Sequence, residues 1–128
     1  IDAYAHHPEE IRVFFESVRE IYPKKKITAI FQPHLFSRTK DLAKEFAEQL
    51  SKIDEVILLD IYPARELPME GVTSQLIFEK LTCPEKYLLK MDKFLDFIKR
   101  KNFEVLVTIG AGDIDKYIAS IKNILSAS

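Results

Sequence analysis

Short apolar runs alternate with amphipathic stretches along the whole chain. The apolar runs are rich in β-branched and large aliphatic residues, which favours strands. Two of them are apolar almost throughout, as expected for strands that are covered on both faces. The predicted strands are KITAIFQ (26–32), EVILLDIY (55–62), KYLLK (86–90) and EVLVTIGAG (104–112).

The stretches between these strands repeat apolar residues every three or four positions, which predicts helices with one buried face. In the first of them Ile11, Phe15 and Val18 share a stripe, and Pro8 stands in the first turn. The predicted helices are 8–22, 38–53 with Ser37 as its N-cap, a short helix from Thr73 or Ser74 to Leu81, 91–101 and 113–126. Strands and helices alternating at this spacing predict an α/β fold, a three-layer α/β/α Rossmann-like sandwich with a mostly parallel sheet.

Composition and charge narrow the class of protein. The chain has no repeat or long linker, so we expect a single domain, 1–128. A net charge of −1 gives no overall attraction to nucleic acid or to an anionic membrane, and no apolar run approaches the ~20 residues of a membrane span. The lysine clusters at 24–26 and 99–101 are interpreted as cations at helix C-termini. Cys83, the lone cysteine, is interpreted as an inert thiol in a reducing cytosol.

The chemistry-bearing side chains fall at one predicted edge of the sheet. In open α/β sheets ligands bind beyond the carboxyl ends of the strands, and this rule selects the segments 1–8, 32–38, 60–72 and 110–113. All three histidines lie in these segments. The candidate site residues are Asp2, Tyr4, His6, His7, Gln32, His34, Ser37, Arg38, Asp60, Tyr62, Arg65, Glu66, Gly110, Gly112 and Asp113.

The histidines have plainer interpretations as well. His6 or His7 could simply cap the helix that begins at Pro8. Together with His34 they could form a zinc site, but they lack the close ligand spacing of known zinc motifs. We therefore predict no metal site in this domain.

Two features could bind an anion. Arg38 stands at a predicted helix N-terminus, where a guanidinium can grip a carboxylate or phosphate with two hydrogen bonds, or could instead form a surface salt bridge to Asp41. The GAGD segment (110–113) could cradle a phosphate, or could be a tight turn with Asp113 as N-cap. The sequence contains no Walker-A loop and no G-x-S-x-G elbow. These residues alone predict part of an active site on a Rossmann-like module.

Four motifs, in this order and spacing, resemble the C-terminal domain of the Mur ligase family across essentially the whole chain. They are YAHHPEEI, FQPHLFSRT, LLDIYPARELPMEGVTS and GAGDI, and the opening stretch is similar to the family signature D-D-Y-[AG]-H-H-P. The resemblance implies a piece of a longer enzyme, with an N-terminal UDP-binding domain, a central ATPase domain that carries the P-loop, and this closing domain in contact with the central one. The start at Ile1, in a segment rich in polar side chains, fits that expectation.

Within the family, the motifs are most similar to those of the member that adds L-alanine to UDP-N-acetylmuramate in peptidoglycan precursor synthesis. The implied chemistry is attack of the sugar-nucleotide carboxylate on ATP, followed by capture of the acyl phosphate by the amine of alanine. ATP and Mg²⁺ would be bound mainly by the central domain, so the isolated piece is expected to be inactive. The enzyme is expected in the bacterial cytoplasm. Two alternatives stay open: a ligase that recycles murein tripeptide, and a non-catalytic ligand-binding module.

The resemblance also implies roles for individual residues. The expected catalytic residues, which would face the nucleotide and substrates across the cleft, are Asp2, His6, His7 and Arg38. The expected substrate-binding residues are Tyr4, His34, Ser37, Tyr62, Arg65, Glu66, Gly110, Gly112 and Asp113, with Arg65 a candidate for the alanine carboxylate. Two positions depart from the family pattern: Ala3 replaces an acid, and Leu35 replaces an arginine that many relatives carry, which leaves more of that loop's charge to Arg38.

Overall fold

Five parallel strands form one sheet at the centre of the protein. A computed structural model describes residues 2–3, 7–63, 65–110, 121 and 123, with the backbone alone for residues 2, 3 and 91. The strands are β1 (Asp2–Ala3), β2 (Ile27–Gln32), β3 (Glu55–Leu58), β4 (Glu85–Leu88) and β5 (Val105–Gly110). Their order in the sheet is β1-β5-β2-β3-β4, and every neighbouring pair is parallel.

Four helices within the described residues lie on the two faces of this sheet. They are α1 (Pro8–Ile21), α2 (Phe36–Leu50), α3 (Gln75–Phe78) and α4 (Met91–Lys99). In α1, Glu9 and Glu10 occupy the first turn and Arg19 the last, an arrangement that complements the helix dipole. Helices α1 to α3 pack on one face of the sheet and α4 packs on the other.

The strands divide their side chains between two apolar cores. In β2, Ala29 and Phe31 belong to the core under α1 to α3, whereas Ile30 belongs to the core under α4 with Phe94 and Ile98. Side chains alternate across a strand, so a strand that is apolar at every position is one whose two faces are both covered. The three-layer α/β/α fold predicted from the sequence is confirmed.

Several local predictions differ from the structure. The sequence predicts one strand over 55–62, but β3 ends at Leu58. The sequence does not predict β1, because a strand of two residues carries no periodic signal. Ser37 was expected to be the N-cap of a helix beginning at 38, which is wrong: α2 begins at Phe36 with Leu35 as its N-cap. Ser74, one of the two predicted caps of α3, is its N-cap but makes no side-chain capping bond, and the Thr73 hydroxyl accepts from the Gln75 N–H instead. The predicted end of this helix at Leu81 is wrong, because α3 ends at Phe78. The predicted helix 113–126 lies outside the described residues except for positions 121 and 123.

A charged network closes the amino edge of the sheet, far from the predicted site. The Glu55 carboxylate is only 1% exposed; it accepts a hydrogen bond from Thr28 Oγ1 at 2.8 Å and pairs with Lys101 Nζ at 2.6 Å. Lys26 Nζ lies 3.9 Å from Glu55 and bonds Glu85 at 2.6 Å. Lys26 and Lys101 therefore pair with carboxylates, and their interpretation as cations at helix C-termini is wrong. That interpretation is confirmed for Lys99, which lies in the last turn of α4.

Candidate functional site

The strand order predicts a crevice at the carboxyl edge between β2 and β5. From β2 the chain builds outward through β3 to β4 and then returns to the other side of β2 as β5, and such a switch point is where open α/β sheets bind ligands. Gln32, which is buried, pairs with Gly110 there. On the far side of β5, Asp2 pairs with Thr108 and Ala3 with Ile109, so β1 ends at this same edge.

The loops that follow β2 and β3 interlock beside this crevice. The Leu35 N–H donates to the Tyr62 carbonyl and the Tyr62 N–H donates to the Pro33 carbonyl, each at 2.8 Å. The His34 and Tyr62 rings stack with their centroids 5.7 Å apart and their planes inclined by 24°. These contacts continue the parallel pairing of the two strands past their ends, and make the two loops one structural unit.

Arg38 supplies the positive charge of the site and bonds to His34. One guanidinium nitrogen, Nη1, lies 3.0 Å from His34 Nδ1, and both side chains are half-buried. Because a guanidinium can only donate, Nδ1 is the acceptor, and the neutral imidazole carries its proton on Nε2. No ion pair joins Arg38 to Asp41 among the residues that the structure describes, so the salt-bridge alternative is not formed.

Glu66 reaches across from the β3 loop to the first turn of α2. Its carboxylate accepts hydrogen bonds from the Ser37 backbone N–H at 3.1 Å and from the Ser37 hydroxyl at 2.5 Å. Those two donors lower the pKa of the Glu66 carboxyl. The N-cap of α2, Leu35, has no side-chain acceptor and stands at φ 72°. Glu66 therefore satisfies the α2 N-terminus, and no local pattern predicts this contact because the two residues are 29 positions apart.

His7 and Arg65 are both exposed. His7 is the N-cap of α1, and its Nδ1 accepts a hydrogen bond from the Glu9 N–H at 3.2 Å, so the capping interpretation is confirmed for this histidine. That contact leaves Nε2 for other partners, and the catalytic role expected of His7 stays a prediction. Arg65 follows Tyr62 and Pro63 in the loop that contacts His34.

Four of the predicted site residues lie outside the described part of the chain: Tyr4, His6, Gly112 and Asp113. For Asp2 only the backbone is described, in β1. The roles expected of these residues, including the phosphate cradle and the N-cap alternative for the 110–113 segment, stay predictions.

The described residues do not furnish a binding site for the implied Mg²⁺. Within residues 2–3, 7–63, 65–110, 121 and 123, no group of three or more His, Cys, Asp and Glu side chains could hold a metal ion. A magnesium site would need ligands from elsewhere, so no step of the chemistry is assigned to a metal on this domain. None of the helices in the same residues is long and apolar enough to cross a membrane.

Comparison with known proteins gives concordant matches. The family profile "Mur ligase, glutamate ligase domain" matches residues 1–112. A UDP-N-acetylmuramate–L-alanine ligase from Flavobacterium johnsoniae is 55% identical over 98% of the chain, and the chain covers 28% of that protein. The structure of a UDP-N-acetylmuramate–alanine ligase from Thermotoga maritima matches 99% of the chain with a TM-score of 0.70 and 28% identity, and 26% of that protein is covered. A murein peptide ligase from Psychrobacter arcticus matches 98% with a TM-score of 0.72, but at 14% identity it shows the fold alone; 27% of it is covered. The chain thus spans about a quarter of the length of these proteins.

Proposed function

The chain belongs to the Mur ligase family, and on that basis we propose that it is the C-terminal domain of a longer ATP-dependent ligase, one that joins L-alanine to UDP-N-acetylmuramate during peptidoglycan precursor synthesis. The main support is the 55% identity to a ligase of that name over 98% of the chain. The remaining part of the protein, in our proposal, brings the UDP-binding site and the ATPase P-loop that this sequence lacks. We assign the enzyme to the bacterial cytoplasm.

The carboxyl-edge loops would contribute anion binding to this reaction. ATP supplies the energy that activates the carboxylate of the sugar nucleotide, and the amine of alanine must then attack it before water does. The reaction therefore needs a closed site that excludes water and holds the amino acid in line. Of the five donors of the Arg38 guanidinium, one faces His34 Nδ1, which leaves others for a substrate carboxylate or phosphate oxygen.

The geometric observation that carries this role is the anchoring of Arg38. A lone surface arginine must lose the freedom of several torsions when it binds an anion, which costs up to about 2 kcal/mol. The bond to His34, whose ring is stacked on Tyr62, holds the guanidinium beside the crevice before any ligand arrives. Preorganisation of this kind is typical of a binding group and is not needed for a surface charge.

The choice of acceptor amine is the test of the proposed function. The full-length protein is supplied with ATP, UDP-N-acetylmuramate and either radiolabelled L-alanine or murein tripeptide, and the ligated product is quantified. We expect a higher kcat/KM for alanine. A higher value for the tripeptide would overturn the proposal in favour of the recycling ligase.

A second experiment separates the ligase from a non-catalytic binding module. Calorimetry on the 128-residue chain alone, with ATP, UDP-N-acetylmuramate and alanine each in turn, is expected to give almost no heat of binding, because the main substrate sites lie in the remaining three-quarters of the protein. Micromolar binding by the 128 residues, together with no turnover by the full-length protein, would establish the module instead.

A further inference from the structure

We propose that Glu66 is a positioning residue, which holds Arg38 and His34 in their binding geometry from the neighbouring loop and does not itself contact substrate. This inference rests on the proposed function, because it concerns the same site. It also revises the substrate-binding role that the sequence predicts for Glu66.

The first support is the number of internal contacts that Glu66 makes. Both carboxylate oxygens are engaged by Ser37, one by the backbone N–H and the other by the hydroxyl. The Glu66 N–H in turn donates to the Pro63 carbonyl at 2.9 Å. A carboxylate that is bonded at both oxygens within its own fold is poorly placed to bind a substrate amine as well.

The second support is the shortage of acceptors at the start of α2. The first turn of a helix exposes N–H groups without intrahelical partners, and its partial positive charge favours an anion. Helix α2 has no acidic residue in its first turn and no side-chain bond from its N-cap. Glu66 supplies the missing anion, so this N-terminus is already occupied by the protein's own carboxylate.

The third support is the path of contacts from Glu66 to the Arg38–His34 pair. Ser37, which Glu66 holds, immediately precedes Arg38 on the helix, and Arg38 bonds His34. His34 stacks on Tyr62, in the loop from which Glu66 itself extends. The contacts close a ring between the two loops, so removal of the carboxylate would loosen the helix turn that carries Arg38.

The positioning role of Glu66 is tested by the kinetics of the full-length ligase in two variants, one that keeps hydrogen bonds to Ser37 and one that loses them. In Glu66→Gln the amide oxygen can still accept from the Ser37 N–H while the amide nitrogen donates to the Ser37 hydroxyl, so kcat/KM for alanine is expected to stay within about threefold of the wild type. In Glu66→Ala both contacts vanish, and we expect at least a tenfold loss, expressed mainly in KM. Glu70→Ala, an exposed acid in the same loop, is the matched control and should leave the kinetics unchanged.

Three kinetic results would overturn the proposal. If Glu66→Gln loses as much activity as Glu66→Ala, the hydrogen bonds to Ser37 that glutamine keeps do not hold the site, and the positioning role through those bonds is refuted. If the loss lies in kcat with KM unchanged, Glu66 acts on the reacting atoms. In a double-mutant cycle with Arg38→Ala, a residue acting through Arg38 should add little further loss, whereas fully additive losses would contradict that path.

Hydrogen exchange of the Ser37 amide separates failure of this inference from failure of the proposed function. In the same full-length protein, the amide is expected to exchange at least tenfold faster in Glu66→Ala than in Glu66→Gln. Equal protection in the two variants would refute the positioning role even if alanine is the substrate. Faster exchange in Glu66→Ala, in a full-length protein that does not ligate alanine, would refute the proposed function but would support the contact between Glu66 and Ser37.

Discussion

Replacement of Lys101 by methionine should destabilise the domain strongly, although Lys101 lies far from the candidate site. Its ammonium pairs with the Glu55 carboxylate at 2.6 Å and lies 5.3 Å above the centre of the Tyr87 ring. The pairing raises the pKa of Lys101. Methionine keeps the length and most of the apolar contact of the side chain, so the substitution chiefly removes the charge.

The magnitude follows from the burial of the partner. Breaking a buried ion pair costs about 3–5 kcal/mol, because the remaining charge is left uncompensated in the interior. Glu55 is 1% exposed, but it keeps the hydroxyl of Thr28, and Lys26 Nζ stands 3.9 Å away. We therefore expect the lower end of that range, about 3 kcal/mol, which corresponds to a fall in Tm of about 10 °C for a domain of this size.

Urea and thermal unfolding of the 128-residue chain at pH 7 measure this effect. Lys93→Met, at an exposed position of α4, is the matched control and should change the free energy of unfolding by less than about 0.5 kcal/mol. The double variant Lys101→Met with Glu55→Gln should recover much of the loss, because the uncompensated charge is gone. A loss below 1 kcal/mol in Lys101→Met, or no recovery in the double variant, would refute the reasoning.

Three further predictions concern other contacts. Lys26 holds the pKa of Glu85 at about 2, below its ordinary 4.5, and Ser37 lowers the pKa of Glu66. The stability that these carboxylates add is therefore present above pH 4.5 and is lost as the pH falls toward 2. In Glu85→Gln the free energy of unfolding should fall less steeply with decreasing pH, and an unchanged slope would contradict this. Cys83 is buried and burial raises the pKa of its thiol, so Ellman's reagent should label it only after urea unfolding, and rapid labelling of the native chain would count against the structure. Leu35 stands at φ 72°, so Leu35→Gly should be at least as stable as Leu35→Ala in thermal melts, the reverse of the usual 0.5–1 kcal/mol preference for alanine.

The fold was largely predictable from the sequence because the apolar pattern reports burial directly. Ile30 and Phe31 are successive and both buried, as expected for a strand that is covered on both faces. The ends of the elements were less predictable. Tyr62 lies in an apolar run that looks like strand, yet it sits beyond β3 and makes only an isolated bridge to His34. The residue at which a strand ends depends on contacts with the neighbouring loop, and no local sequence pattern reports those contacts.

The candidate site was predictable as a set of segments and not as a set of contacts. The carboxyl-edge rule brought His34, Arg38, Tyr62 and Glu66 to one place, and the structure joins their two loops. The link from Glu66 to Ser37 could not be predicted, because it depends on two loops that only the completed sheet brings together. The same holds at the opposite edge, where the partners of Glu55 come from β2 and from the segment that follows α4.

The most direct test of the central claim, that the carboxyl-edge loops bind the substrates of a ligase, is kcat/KM for alanine in the full-length protein carrying Arg38→Ala. Loss of a charge-assisted hydrogen bond costs about 1.5–3 kcal/mol, so the account predicts a fall of about 10- to 150-fold. Lys40→Ala, an exposed cation two residues further along α2, is the control and should leave kcat/KM unchanged. An unchanged kcat/KM in Arg38→Ala, with alanine still the preferred acceptor, would contradict the account.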